Sequence, residues 1–363
     1  MSDTVFMQKA LELAARGRGR TSPNPMVGAV IVKRGKIIAE GYHRKAGTPH
    51  AEIVALKKAG PQAKGAVLYV NLEPCCHTEK KTPPCTRAII KSGIKKVVAA
   101  MADPNPRVRG RGLKELRAAG IYTENAVMES EARKLNEVFI KYITRKEPFV
   151  FLKIAQTLDG KTATATGDSK WITGRKARRH VHKLRDEVDA LLVGIGTVEK
   201  DNPSLDCRIK GGSNPYRVIV DSSLRIPLTA KVLAHKDGRT IIAATGRASQ
   251  KKIDILLSRG VRVIVTVDSE GRVDLKSLMK ELGRMDITSV MIEGGSSINA
   301  SALSSGIVDK VLVFMAPRIL GGVDSIPSIG GKSPLLIEHA VKLRKTNITT
   351  FGDDILLEAY PSF

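Results

Sequence analysis

The sequence predicts two α/β domains in tandem, and three observations carry that expectation. Segments with strand and helix periodicity alternate along almost the whole chain. A charged seam, Thr144-Arg145-Lys146-Glu147-Pro148, divides the alternation into two runs. With 363 residues and 42% apolar side chains, the chain can bury two cores and is too apolar to stay disordered. The expected domains are 1–146 and 147–363.

In the first run, Asp3 is expected to cap a helix that buries Phe6, Met7, Ala10, Leu11 and Leu13 and ends at Gly17-Arg18-Gly19. Segments 26–32 and 36–42 read as a hairpin around Lys33-Arg34-Gly35. Residues 50–59 read as a helix stopped by Gly60-Pro61. A strand over 66–72 runs into Glu73-Pro74-Cys75. A helix over 85–92 ends at Gly93, a strand follows over 95–101, and a helix over 129–142 precedes the seam.

The second run opens with a strand at 149–155, a helix at 175–188 and a strand at 190–196. Strands at 216–221 and 240–245 follow, then a helix at 250–259 and a strand at 262–267. A helix at 274–283, a strand at 289–295, a helix near 296–304 and a strand at 310–316 complete it.

Charge narrows the partners without choosing one. Sixty basic residues face 36 acidic ones, a net +24 that suits nucleic acid, an acidic membrane or a phosphorylated small molecule. The basic residues are spread along the chain, with no detached tail. No run of 18 apolar residues exists, and the first residues read as an amphipathic helix rather than a signal peptide, so no membrane partner is expected. Of four cysteines, Cys75, Cys76 and Cys85 crowd together and Cys207 stands alone. That is not the distribution of a disulfide framework; it suits a reducing cytoplasm in which clustered thiols are free for metal.

The clustered residues carry the strongest chemical signal. His50-Ala51-Glu52 precedes Pro74-Cys75 and then Cys85. A catalytic zinc takes three imidazole or thiolate ligands and keeps one position for water, which it acidifies. His50, Cys75 and Cys85 supply that set. Glu52, close to the metal yet not needed as a ligand, can carry the water's proton to a leaving amine. Both thiols precede expected helix starts, which favour thiolate. A structural zinc closed by Cys76 or His77 is the alternative, and Glu52 argues against it.

Asn24-Pro25-Met26-Val27-Gly28, His50-Ala51-Glu52, Glu73-Pro74-Cys75 and Lys81-Thr82-Pro83-Pro84-Cys85 resemble the deaminase half of the bacterial bifunctional riboflavin-biosynthesis family, RibD. The resemblance implies a cytidine-deaminase-like three-layer domain acting on a phosphoribosylated diaminopyrimidine. It further implies that Asn24, His43 and Lys81 bind that ribotide and that His77 lines its pocket. The Cys75–Cys85 spacing is one residue longer than usual in the family. An RNA-editing deaminase is the runner-up, but such enzymes show a short Pro-Cys-x-x-Cys, and residue 78 here is Thr.

From Phe149 onward the chain resembles the reductase half of the same family, which has a dihydrofolate-reductase-like fold. The matching segments are Lys153-Ile154-Ala155, Thr157-Leu158-Asp159-Gly160, Ser169-Lys170-Trp171-Ile172-Thr173, Gly194-Ile195-Gly196-Thr197, Asp201-Asn202-Pro203 and Glu293-Gly294-Gly295. Thr157 stands where serine is commoner. On physical grounds, the glycine pair between a strand and a helix start can take an anion, while the third glycine of a Rossmann fingerprint is absent.

The resemblance implies that Ala155, Trp171, Thr197, Asp201, Ser222, Gly295, Ser296, Ser297, Ile298, Asn299, Ala300 and Ser301 contact NADPH. It implies that Ser169, Arg185, Leu205, Arg208 and Glu293 contact substrate. Arg185 and Arg208 suit paired hydrogen bonds to a 5′-phosphate. Lys153 is read as polarising the ribose carbonyl, Arg247 as reading the 2′-phosphate of NADPH, and Cys207 as inert. The expected function is zinc-dependent deamination of the ribotide followed by NADPH-dependent reduction of its ribosyl group to ribityl. Zn2+ and NADPH are the expected cofactors, and nucleic acid is not an expected partner. A homo-oligomer is compatible with the sequence, which does not set its order. Two alternatives stand beside this reading: an RNA-binding deaminase whose second domain grips nucleic acid, and a fusion in which one half is inactive.

Overall fold

A computed structural model describes residues 2–77 and 83–363. The chain divides into two compact units, Met1–Lys146 and Glu147–Phe363.

The first unit is built on a five-stranded sheet in the order Lys36–Tyr42, Gly28–Lys33, Val67–Val70, Lys96–Ala99, Tyr122–Glu124. The opening pair is a hairpin turned by Arg34 and Gly35, both at positive φ (50° and 73°), the conformation that tight two-residue hairpins require. The last three strands are parallel. Helices cover both faces, and two glycines let them come close. A Cβ on Gly28 would lie 2.1 Å from the Ala10 carbonyl oxygen, and one on Gly41 would lie 2.3 Å from that of Ala51. Gly28 pairs with Tyr42 and Gly41 with Ala29, so the two glycines face opposite sides of the sheet. The helices Asp3–Ala15 and Ala51–Ala59 therefore lie on opposite faces, giving three layers.

Several local expectations differ from what is observed. Asp3 is the first helical residue and Ser2 the cap position. The Asp3 carboxylate instead accepts from the Tyr69 hydroxyl at 2.6 Å and pairs with Lys96 at 3.1 Å. The second helix stops at Gly60 as expected, and a 3-10 turn, Gly60–Ala63, follows it. The helix expected over 129–142 is two, Glu129–Leu135 and Glu137–Arg145. The break is Asn136, whose amide accepts from Met26 N (2.8 Å) and donates to Met26 O (3.0 Å). The helix Arg111–Ala118 and the strand Tyr122–Glu124 carry no strong sequence signal.

The second unit has a nine-stranded sheet ordered Arg262–Val265, Thr240–Ala244, Tyr216–Val220, Ala190–Gly194, Ser289–Ile292, Phe149–Thr157, Lys310–Ala316, Asp354–Ser362, Lys342–Phe351. The first seven run parallel, and the last two form an antiparallel hairpin absent from the sequence reading. The central strands are almost wholly apolar, as parallel strands covered on both faces must be. Apolar clusters lie on both sides, one around Val150, Leu192 and Val290, the other around Leu191, Ile219 and Phe314. Gly194-Ile195-Gly196 is not a strand end: the strand stops at Gly194 and Ile195–Asp201 is helical.

Candidate active sites

In the first unit, the site lies beyond the carboxyl end of the strand Val67–Val70, where open α/β sheets place ligands. His50 is the N-cap residue of the helix Ala51–Ala59, and Cys85 opens the helix Cys85–Lys91. The His50 Nδ1 lies 3.6 Å from the Cys75 Sγ and 3.3 Å from the Cys85 Sγ. The three donor atoms fall within 4.8 Å of one another, and among the described residues they are the group able to hold a metal ion. Cys76 stands outside it, and burial pushes its thiol up.

The backbone that presents Cys75 is pinned through the buried Glu73. Its carboxylate accepts from the backbone N–H groups of Asp103 (3.0 Å), Gly110 (2.9 Å) and Leu113 (3.1 Å). The sequence reading missed this role, since a lone Glu before Pro-Cys gives no sign of partners some 30 to 40 residues away.

Glu52 is 3% exposed, and its Oε2 is buried with no hydrogen-bond partner. An orphaned carboxylate oxygen in a polar site marks a place for a further group. Burial pushes this carboxyl up, and Cys75 adds to the rise. The donor set, one imidazole and two thiols, and the orphaned acid beside it fit a catalytic zinc.

His43 and Asn24 form a pair at this site. The Asn24 Nδ2 donates to His43 Nε2 at 3.1 Å, so the other ring nitrogen carries the proton and donates to Pro49 O at 3.2 Å. Burial lowers the His43 pKa and keeps the ring neutral. It meets His50 edge to face, with centroids 5.4 Å apart. With both nitrogens engaged, His43 is arranged to orient Asn24 and steady His50. His77 is half-buried on the loop after Cys75. Lys81 lies outside the described residues.

The second unit carries a cleft of about 1340 Å³ at the carboxyl ends of the neighbouring strands Phe149–Thr157, Ala190–Gly194 and Ser289–Ile292. The expected residues Lys153, Ala155, Ser169, Trp171, Arg185, Thr197, Asp201, Arg208, Glu293 and Gly295 through Asn299 all line it. At its floor the helix Ser296–Ser304 begins without a side-chain cap, so its first N–H groups are open to an anion. A Cβ on Gly294 would sit 1.8 Å from Ile298 Cγ2, which explains glycine there. Asn299 donates to Ser328 O at 2.9 Å, while its Oδ1 is buried without a partner. The cleft's size, the uncapped helix start and this orphaned acceptor fit a dinucleotide.

Other expected residues are not brought to the cleft wall. Leu205 packs in the apolar core, the Ser222 hydroxyl accepts from Val273 N at 3.2 Å, and the Ser301 hydroxyl donates back to Ser297 O at 3.0 Å. Ala300 lies outside the lining. Arg247 pairs with Asp268 at 2.8 Å.

Arg185 lines the cleft with its fork engaged by a carboxylate. Its Nε and Nη2 donate to the two Glu293 oxygens at 2.8 and 2.9 Å, and Lys153 Nζ approaches the same carboxylate at 3.4 Å. The guanidinium fork read as a phosphate clamp is already filled by a carboxylate. Arg208 is different: its side chain is 64% exposed and its Nε meets Asp206 at 3.3 Å. Burial by itself would raise the Glu293 carboxyl; Arg185 and then Lys153 overcome it and hold Glu293 down to about 2. Sequence reading missed Arg178, which lies 4.4 Å above the Trp171 ring, and His182, which lines the cleft on the same helix. The three-and-four spacing of Arg175, Arg178, His182 and Arg185 was the available signal.

Comparison with known proteins agrees with both halves. Residues 1–101 match the cytidine and deoxycytidylate deaminase zinc-binding region, and residues 148–357 match the RibD C-terminal domain. The riboflavin biosynthesis protein RibD of Aquifex aeolicus is 47% identical over 98% of this chain and 97% of its own. That of Escherichia coli is 41% identical over 91% of this chain and 92% of its own. Among solved structures, Acinetobacter baumannii RibD has a TM-score of 0.90 at 38% identity, covering 99% of both chains. A Thermotoga maritima protein described as a diaminohydroxyphosphoribosylaminopyrimidine deaminase and 5-amino-6-(5-phosphoribosylamino)uracil reductase has a TM-score of 0.85 at 40% identity, with the same coverage.

The two units are thus a cytidine-deaminase-like zinc hydrolase and a dihydrofolate-reductase-like, NADPH-dependent oxidoreductase. The chain belongs to the RibD family, the bifunctional deaminase and reductase of riboflavin biosynthesis.

Proposed function

We propose that residues 1–146 deaminate a phosphoribosylated diaminopyrimidine and that residues 147–363 then reduce its ribosyl group to ribityl. The observation that carries the first step is the buried, partnerless oxygen of Glu52 beside the His50, Cys75 and Cys85 donor cluster. Those three side chains would hold zinc, which when bound supplies a Lewis acid that makes water nucleophilic near neutral pH. Glu52, its carboxyl pushed up by burial, is placed to take up a proton from the attacking water and would return it to the departing amine. Asn24, oriented by neutral His43, hydrogen-bonds the pyrimidine, His77 lines the pocket, and Lys81 is assigned to substrate binding on the family resemblance alone.

In the second unit, the helix start at Ser296 and the residues from Gly295 to Asn299 would hold NADPH, together with Ala155, Trp171, Thr197 and Asp201. When bound, the cofactor supplies hydride. Lys153, Ser169, Glu293 and Arg208 position the open-chain sugar. Arg185 holds Glu293 in place rather than gripping phosphate. The net +24 is assigned to phosphorylated small molecules rather than nucleic acid: nine basic side chains, against Asp201 and Glu293, line this cleft. The crowding of Cys75, Cys76 and Cys85 within eleven residues, two of them in the donor cluster, supports a reducing, cytoplasmic setting. No described helix is long and apolar enough to cross a membrane.

Metal analysis of the full chain tests the ligand assignment. About one zinc per chain is expected, with metal and ammonia release lost together in Cys75→Ser and in Cys85→Ser. Full occupancy in either variant would remove that thiol from the set.

A further inference from the structure

One face of the helix Arg175–Glu187 runs along the reductase cleft. Arg175, Arg178, His182 and Arg185 recur on it at helical spacing, and all four line the cleft. Two are already occupied. Arg178 stacks on Trp171 and donates to Thr173 O; Arg185 clasps Glu293. His182 has no such engagement: its Nδ1 is shut off from solvent and has no hydrogen-bond partner.

A buried ring nitrogen without a partner costs free energy unless a ligand supplies one. The charged groups around the ring define that ligand. They are Arg185 on its own helix, Arg208 and Asp206 on the following segment, and Glu293 beyond the strand Ser289–Ile292. Burial, then Arg185 and Arg208, lower the His182 pKa, outweighing Glu293 and Asp206, so the ring is neutral near pH 7. Arg185 gives its Nε and Nη2 to Glu293 and its Nη1 to the Asp206 carbonyl oxygen, whereas Arg208 meets Asp206 through its Nε and leaves its terminal nitrogens for a ligand. A neutral ring next to a free guanidinium is suited to a dianion: the anion offsets the two arginines that oppose protonation.

We infer that His182 is a second ligand, with Arg208, for the phosphomonoester of the sugar phosphate, and that the ring takes up a proton from solvent as the dianion binds. This rests on the proposed substrate. The sign follows from linkage. Binding raises the ring's pKa, so phosphorylated ligand binds more tightly as pH falls toward about 6, where phosphate itself begins to protonate.

The test is calorimetric titration of the full chain, saturated with NADP+ to prevent turnover, in buffers of different ionisation enthalpy. The probes are 5-amino-6-(5-phosphoribosylamino)uracil and its dephosphorylated riboside. The parent protein is expected to take up protons with the ribotide and not with the riboside. His182→Gln should abolish the uptake and weaken the ribotide roughly tenfold or more, leaving the riboside and NADP+ unchanged. Absence of uptake in the parent overturns the inference, and this reading needs no variant. An unaltered ribotide-to-riboside ratio in His182→Gln overturns it too. Arg208→Ala separates the two levels. If it lowers the ratio and His182→Gln does not, only the His182 assignment fails; if neither does, the phosphate is held elsewhere and the substrate-site reading fails.

Discussion

Arg185 clasps Glu293 through two parallel hydrogen bonds of 2.8 and 2.9 Å, at the wall of the reductase cleft. The pair is buried, so each charge depends on the other. Glu293 is held down to about 2 from an ordinary 4.5. A depressed carboxyl stabilises the fold above its unfolded pKa and loses that contribution as pH falls through the folded one. The window is therefore from about pH 4.5 down to about 2, and the amount is roughly 3 kcal/mol at neutral pH. Glu293→Gln should flatten that limb of the acid-unfolding curve, followed by circular dichroism. Arg185→Ala should destabilise at pH 7 by roughly 3–5 kcal/mol, because it strands a buried carboxylate. An acid limb identical in the parent and Glu293→Gln would show that the clasp contributes nothing.

Glu52→Gln separates metal binding from proton transfer. The amide keeps the size of the side chain and removes no zinc ligand, so metal content should match the parent. Ammonia release should fall by roughly 10²-fold or more, while reduction of supplied deaminated ribotide continues at the parent rate. Normal ammonia release would mean that another group carries the proton.

Gly294→Ala addresses the other site. The added methyl would meet Ile298 Cγ2 at 1.8 Å, and Ile298 is β-branched and stiff, so the helix start at Ser296 must move. NADPH affinity, measured by fluorescence titration, should drop at least tenfold, with zinc content and ammonia release unchanged. Unchanged affinity would place the cofactor away from this helix.

What the sequence revealed depended on how local each signal was. His50, Glu52, Cys75 and Cys85 were readable because zinc chemistry admits few residue types and their motifs are short. The parallel strands were readable as apolar runs, such as Ala190–Gly194. The closing strand Lys342–Phe351 was not, because it lies at the sheet edge, is exposed on both faces and lacks any alternation. Asn136 gave no sign of breaking a helix, since its partner is Met26, far away in sequence. Arg185 was read as a phosphate ligand for the same reason. Its carboxylate partner lies 108 residues further on, and an arginine destined for a ligand looks the same in sequence as one destined for Glu293.

Two chemistries are performed in order by one chain. Incubation of the full protein with 2,5-diamino-6-(5-phosphoribosylamino)pyrimidin-4(3H)-one, followed by mass spectrometry of the products, tests this most directly. Without NADPH, the expected product is the deaminated ribotide, accumulating with one ammonia per turnover. With NADPH, the expected product is its ribityl phosphate counterpart, formed with one NADPH oxidised for each ammonia released. Unchanged ribotide under both conditions, or deaminated product that persists while NADPH goes unused, would contradict it.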